Sequence, residues 1–135
     1  MKQLILAHCP LATAFQTVLK DITGKCDVYA LDLESHVSPE DYEKQIVSVL
    51  ALHPEQEWLI WVDMAGGTPF NTAAQVVNSY SAVLLSGVNL PVLLHFSHSA
   101  LCLADVEQWY QKENHFGIRT LADWLGGVNG FASQD

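Results

Sequence analysis

Two polar stretches follow runs of apolar residues and carry side chains suited to nucleophilic chemistry. His8 comes directly after residues 3–7 (QLILA), and Asp63 opens the stretch DMAGGTPFN directly after residues 58–62 (WLIWV). A carboxylate beside an imidazole holds a proton on one ring nitrogen and leaves the other nitrogen free as a nucleophile. We therefore predict that His8 is a nucleophile oriented by Asp63, provided that the fold brings the two residues together.

The residues that follow Asp63 favour an anion as the group that this histidine would attack. Gly66 and Gly67 would let the backbone come close to a bound group, and Thr68 is predicted to cap the following helix. Another helix is predicted to begin at Pro10, just after His8. Because the N-terminus of a helix favours an anion, a histidine between two such termini suits a phosphoryl group.

The elements that must position these residues alternate along the chain. Short apolar runs predict strands, whereas caps, prolines and helical periodicity predict helices. The predicted strands are residues 3–7, 27–33, 58–62 and 82–86, and the predicted helices are residues 10–24, 38–52, 68–80, 91–101 and 104–114. This alternation is typical of an α/β fold with a doubly wound, mostly parallel sheet and helices on both faces.

The expected strand order, 2-1-3-4, places the predicted site. In such a sheet the winding direction reverses between the first and third strands, and ligands bind there beyond the carboxyl ends. Neighbouring strands lie about 4.8 Å apart, so side chains at the ends of these two strands can meet. Residues 117–121 (GIRTL) predict a short extra edge strand or a helix, and one domain is expected over residues 1–127, with a frayed tail at 128–135.

Composition restricts the partners and the compartment. The 135 residues include 6 basic and 15 acidic side chains, which give a net charge of -9. Such a charge repels nucleic acid and anionic membranes, and it serves either solubility or attraction to a basic protein. Three cysteines without a CxxC motif favour a reducing cytosol, and the N-terminus does not resemble a signal peptide. Polar residues interrupt the most apolar region, residues 82–104, so no membrane span is expected.

Some of these residues also have structural interpretations. His8 alone would more often be structural than catalytic, and Asp63 could cap the helix behind it. His95 and His98 have the i, i+3 spacing of metal ligands, but no acidic or thiol side chain lies close in sequence, so surface or packing roles are favoured and no metal is expected. Cys9 invites a thiol-nucleophile interpretation, against which a buried, inert thiol is favoured.

The motif DMAGGTPFN, followed about a helix and a strand later by SGVNLP at residues 86–91, resembles the enzyme IIA domain of the mannose/sorbose class of the bacterial sugar phosphotransferase system. The resemblance extends from Met1 to roughly Trp124 and includes a histidine at the end of the first strand. It implies that His8 is the phosphorylation site and that Asp63 is its partner. The phosphate-binding set that it implies is Gly66, Gly67, Thr68 and Ser86.

The same resemblance implies a relay and its partners. The carrier protein HPr would donate the phosphoryl group to His8, and a IIB protein or domain would accept it for sugar entering through a IIC/IID membrane permease. The protein would act as a cytoplasmic phosphotransferase, and it would form a homodimer with exchanged C-terminal segments. No metal or diffusible cofactor is implied, because phosphohistidine is itself a high-energy donor.

One position departs from the family pattern and leaves alternatives open. Cys9 stands directly after His8 where the family has glycine, and a side chain there could crowd a phosphate. One alternative is a phosphoryl donor subunit for dihydroxyacetone kinase, which shares the fold and the histidine; the GGTPFN motif favours the sugar branch. The other is a regulatory binding module that has lost phosphotransfer.

Overall fold

A four-stranded parallel sheet organises the protein. The computed structural model describes residues 1–25, 27–97, 101–112, 118 and 120–126. The strands are β1 (Lys2–His8), β2 (Val28–Leu33), β3 (Trp58–Val62) and β4 (Ala82–Ser86). They lie in the order β2-β1-β3-β4 with every pairing parallel. The predicted α/β class and strand order are confirmed, and the described residues contain no fifth strand.

Six helices connect and follow the strands in the described part of the chain. They are α1 (Leu11–Thr23), α2 (Pro39–Leu50), α3 (Thr68–Val76), α4 (Leu90–Phe96), α5 (Leu103–Lys112) and α6 (Leu121–Trp124). The start of α2 agrees with the sequence: Ser38 is the N-cap, its hydroxyl accepts a hydrogen bond from the Asp41 amide at 3.1 Å, and Pro39 is the first helical residue.

Several predicted boundaries were wrong, each for a local reason. The first helix begins at Leu11, because the backbone of Pro10 (φ -104°, ψ 27°) belongs to the N-cap. The third ends at Val76 and tightens into a single 3-10 turn, Val77–Ser79, before extended backbone leads into β4. Of the segment GIRTL, Leu121 begins α6, with Thr120 as its N-cap. The predicted frayed tail, residues 128–135, lies outside the described residues.

The two faces of the sheet bury separate apolar clusters, as a doubly wound fold requires. Side chains alternate along β1, so Ile5 and Ala7 point to one face while Leu4 and Leu6 point to the other. The first face is covered by α1, α4 and α5, and the second by α2 and α3. Because all four of these β1 side chains are inaccessible to solvent, the central strand is held firmly from both sides, and with it the residue at its end.

The strand register determines which residues meet at the carboxyl edge. His8 is the last residue of β1 and pairs with Leu33, the last residue of β2. On the other side Leu6 pairs with Val62, the last residue of β3. Asp63 therefore leaves the sheet next to His8, as the sequence predicts.

One buried polar side chain joins the sheet to α4. Gln3 is 9% exposed. Its side-chain oxygen accepts a hydrogen bond from Trp61 Nε1 at 2.9 Å, and its Nε2 donates to the carbonyl of Phe96 at 3.2 Å. Buried polar groups are tolerated when they are paired in this way. Within the described ranges, no helix is long and apolar enough to span a membrane.

Replacing Gln3 with alanine should destabilise the fold by about 2–4 kcal/mol, because the substitution leaves the Trp61 indole N–H and the Phe96 carbonyl buried without partners. Urea unfolding measures this difference. Gln111→Ala on the exposed side of α5 is the matched control and should change the free energy of unfolding by less than about 0.5 kcal/mol. Equal effects of the two substitutions would show that the Gln3 hydrogen bonds do not stabilise the sheet.

Candidate functional site

A hydrogen bond between His8 and Asp63 forms the centre of the site. His8 Nδ1 lies 2.7 Å from Asp63 Oδ2. The same carboxylate oxygen accepts a second hydrogen bond from the backbone amide of His8 at 3.0 Å. An aspartate that binds both the ring and the backbone of one histidine fixes the orientation of the imidazole relative to the end of β1.

The electrostatics identify the donor in this bond. Partial burial raises the pKa of the Asp63 carboxyl, but the hydrogen bonds from the side chain and backbone of His8, and one from the Met64 amide to Oδ1 at 3.0 Å, outweigh this effect and hold the pKa below its ordinary value. Asp63 is therefore ionised at neutral pH and can only accept. In the neutral His8 ring the proton therefore lies on Nδ1, and Nε2 has a free lone pair.

The free nitrogen is accessible. The side chain of His8 is 51% exposed, whereas that of Asp63 is 13% exposed. Within the part of the chain that the structure describes, His8 Nε2 has no hydrogen-bond partner. His8 lies on an open cleft of about 580 Å³ that is also lined by Cys9, Leu33, Glu34, Ser35, His36, Val37, Pro39 and Thr68. An unprotonated, exposed imidazole nitrogen in such a cleft is a competent nucleophile.

The glycine loop meets the histidine through Gly67. A Cβ built on Gly67 would lie 3.3 Å from His8 Cε1 and 3.4 Å from Met64 Cγ, so a side chain there would press on the imidazole. Gly66 has φ +84°, a left-handed conformation that favours glycine, and its carbonyl accepts a hydrogen bond from Asn71 Nδ2 at 3.2 Å. Gly67 thus has a steric role, because a side chain would press on His8, whereas Gly66 has a conformational role, because its backbone is left-handed.

The prediction that Thr68 caps α3 was wrong. Gly67 is the N-cap, in extended backbone (φ -81°, ψ 170°), and no side chain makes a capping hydrogen bond. Thr68 is already the first helical residue and lines the cleft that contains His8. Because no side chain in the described part of the chain accepts a hydrogen bond from the first turn of α3, its backbone amides are available to an anion in the cleft.

The other helix N-terminus is already occupied by a carboxylate. Asp32 on β2 accepts hydrogen bonds from the backbone amide of Thr13 at 3.1 Å and from its hydroxyl at 2.6 Å. No local pattern in the sequence pairs these two residues, which meet because α1 packs against β2. The expectation of two helix termini open to an anion is therefore corrected: α1 is capped by Asp32, and α3 is the open terminus.

Cys9 is exposed, so the expectation of a buried thiol was wrong. Its backbone amide donates to the Leu33 carbonyl at 3.0 Å, which continues the pairing of β1 with β2 past His8. Desolvation, and then the negative charges of Asp32 and Glu34, raise the pKa of its thiol. A thiol with a raised pKa is a poor nucleophile at neutral pH, so Cys9 is a weak nucleophile although it is exposed.

The remaining candidate residues lie elsewhere. Ser86 ends β4, two strands from β1, and lines a separate cavity between β4, α4 and α5 rather than the cleft that contains His8. His95 stacks on Trp109 with ring centroids 5.9 Å apart, and His98 lies outside the described residues. No group of three or more potential metal ligands occurs among the residues whose positions are described.

Comparisons with known proteins agree on one family. A family model described as "PTS system fructose IIA component" matches residues 2–112. The chain is 28% identical over 89 residues to the sorbose-specific EIIA component of the phosphotransferase system of Klebsiella pneumoniae, an alignment that covers 65% of this chain and 66% of that protein. It is 26% identical over 102 residues to the sorbose-specific EIIA component of Lacticaseibacillus casei, with 74% of each covered.

Solved structures share the fold. The mannose/sorbose specific IIA subunit from Enterococcus faecalis superposes with a TM-score of 0.80 at 17% identity, over 88% of this chain and 92% of that one. The phosphotransferase system component EIIA from Streptococcus agalactiae gives a TM-score of 0.75 at 25% identity, over 90% of this chain and 98% of that one.

Replacing His8 with alanine should raise the pKa of Asp63 toward its ordinary value, because the substitution removes the ring N–H that stabilises the carboxylate. A carboxyl with a lowered pKa stabilises the fold above its unfolded-state pKa, and this contribution is lost as the pH falls through the folded-state pKa. The wild type should thus keep this contribution to a lower pH than His8→Ala. Carboxyl-detected NMR titration of both proteins measures the two pKa values.

Asp105 is an internal control in the same spectra. Its pKa is lowered by hydrogen bonds from the backbone and thiol of Cys102, a group that His8 does not touch. The Asp105 titration should coincide in the two proteins. An Asp63 titration that also coincides would mean that the bond to His8 does not stabilise the carboxylate.

Proposed function

The chain belongs to the family of phosphotransferase-system fructose IIA components, and from this premise we propose that it is a phosphohistidine carrier in which His8 accepts a phosphoryl group from HPr and passes it to a IIB protein or domain. The observation that carries the proposal is the 2.7 Å bond between His8 Nδ1 and the ionised Asp63. That bond leaves Nε2 unprotonated beside an open cleft.

In the proposed transfer, the proton on His8 Nδ1 stays in place. The Nε2 lone pair forms a bond to phosphorus while the phosphorus–nitrogen bond of the donor phosphohistidine breaks and returns its electron pair to the donor ring. Positive charge develops on the His8 imidazole, and the Asp63 carboxylate stabilises it through the Nδ1 proton. Transfer to IIB follows the same steps in reverse, so a single hydrogen bond serves both half-reactions.

Free backbone amides at the first turn of α3 would bind the phosphoryl oxygens. Three features support this assignment: Gly67 lies against the His8 ring, Thr68 lines the same cleft, and no side chain caps the helix. A helix N-terminus of this kind favours an anion through its amides and its dipole. Gly67 lies close to His8 Cε1, which is bonded to Nε2. The amides of this loop would therefore be close to a phosphoryl group on Nε2.

Sugar uptake is the pathway that the relatives favour. Both sorbose-specific components belong to sugar phosphotransferase systems by name, which supports the sugar branch over a donor subunit for dihydroxyacetone kinase. The intact His8–Asp63 pair argues against a binding module that has lost phosphotransfer. We further propose that the net charge of -9 attracts a basic surface of HPr and that the protein works as a homodimer that serves a IIC/IID permease indirectly.

Replacing His8 with glutamine should abolish phosphate uptake from phosphorylated HPr, because the amide lacks a nucleophilic nitrogen. Mass spectrometry of the intact protein, under conditions that preserve phosphohistidine, measures the added phosphate. His95→Gln is the matched control, since His95 is exposed but packs on Trp109 away from the cleft, and it should be phosphorylated like the wild type. Phosphate on the His8 variant, or a loss of uptake confined to the His95 variant, would contradict the proposal.

A further inference from the structure

The connection between β2 and α2 carries a second histidine to the phosphoryl cleft. The Val37 amide donates to the Glu34 carbonyl at 3.1 Å and closes a turn with Ser35 and His36 at its centre. This turn begins one residue after Leu33, which pairs with His8 in the sheet. Both histidines line the same cleft, so the register of β1 with β2 fixes the turn beside the nucleophile.

His36 has the features of an unused binding group. Its side chain is exposed, and it makes no hydrogen bond or ion pair with the residues that the structure describes. By contrast, His53 is bonded to Tyr29 and His95 stacks on Trp109. An imidazole without a partner can donate to a group that enters the cleft without first breaking an existing contact.

The charges around the cleft show why a cationic donor is needed there. Among the residues that the structure describes, the lining includes one carboxylate, Glu34, and no lysine or arginine. Asp63 lies behind His8, and the negative charges of Asp32 and Glu34 add to desolvation in raising the pKa of the Cys9 thiol. The first turn of α2 adds Glu40 and Asp41, whereas α3 contributes Thr68, which is uncharged.

A phosphoryl group on His8 would therefore enter a negative environment. Like charges within a few ångströms destabilise one another, and a phosphoryl group adds a charge of about -1.5 to -2 at neutral pH. Among the described side chains that line the cleft, His8 and His36 are those that can carry a positive charge near neutral pH. Because His8 is consumed as the nucleophile, His36 is the side chain left to balance the phosphoryl charge.

We infer that His36 is a phosphate-binding residue that donates a hydrogen bond from a protonated ring to the phosphoryl group on His8. This inference rests on the proposed function of His8. It adds a side chain from the β2–α2 turn to the amides of α3, so that the phosphoryl oxygens are bound from both sides of the cleft. It also makes phosphate uptake depend on pH, since imidazole changes its charge between pH 5 and 8.

The test compares single-turnover phosphate uptake by the wild type, His36→Gln and His36→Arg from two donors, phosphorylated HPr and phosphoramidate. Phosphoramidate has no protein surface, so an effect seen with it comes from the phosphoryl group rather than from docking of HPr. At about pH 6 we expect His36→Gln to react about threefold to tenfold more slowly than the wild type with both donors, and at about pH 8 the two should agree within about twofold. His36→Arg, which stays charged, should keep its advantage over His36→Gln at the higher pH.

His95→Gln is the matched control, and its rate relative to the wild type should not vary with pH. A constant ratio of wild type to His36→Gln across the pH range would overturn the inference, as would an effect that appears with HPr and is absent with phosphoramidate. Either result would leave the role of His8 intact, because the wild type would still take up phosphate. A wild type that takes no phosphate from either donor would overturn the proposed function and this inference together.

Discussion

The site depends on the hydrogen bond between the His8 ring and Asp63. The 2.7 Å bond joins the ends of β1 and β3, the two central strands. Its direction is set by the lowered pKa of Asp63, which makes the carboxylate an acceptor and places the proton on Nδ1. The side chains of β1 are buried on both faces of the sheet, and the backbone amide of His8 donates to the same Asp63 oxygen. Both features hold His8 and Asp63 in position. This edge of the sheet therefore fixes the tautomer of the neutral His8 ring and leaves its side chain exposed to the cleft.

The surroundings of this bond divide into an anion-binding side and a negatively charged side. The open first turn of α3 lies beyond Gly67, which must lack a side chain to fit against the His8 ring. On the β2 side, Asp32 caps α1 and Glu34 lines the cleft. For the proposed phosphoryl carrier this balance would favour both half-reactions, because binding the phosphoryl group too tightly would slow the second transfer.

The sequence predicted the parts of this arrangement that depend on apolar patterning. Four short apolar runs became four buried or half-buried strands, and His8 and Asp63 met because each directly follows a run that became a central strand. The cap of α3 was misassigned to Thr68 because hydroxyl residues are favoured caps, whereas here the glycine before it takes the extended backbone. Two features depend on how the strands and helices pack together: the hydrogen bond from the Thr13 amide to Asp32, and the exposure of Cys9. Such contacts have no local signal in the sequence.

The tautomer of His8 in the unphosphorylated protein decides whether Nε2 can act as the nucleophile. Long-range ¹H–¹⁵N correlation NMR distinguishes the protonated from the unprotonated ring nitrogen. At a pH where the ring is neutral, the structure requires the proton on Nδ1, donated to Asp63, and an unprotonated Nε2 facing the cleft. A spectrum showing the proton on Nε2 would contradict the account, because the exposed nitrogen would then have no lone pair with which to accept a phosphoryl group.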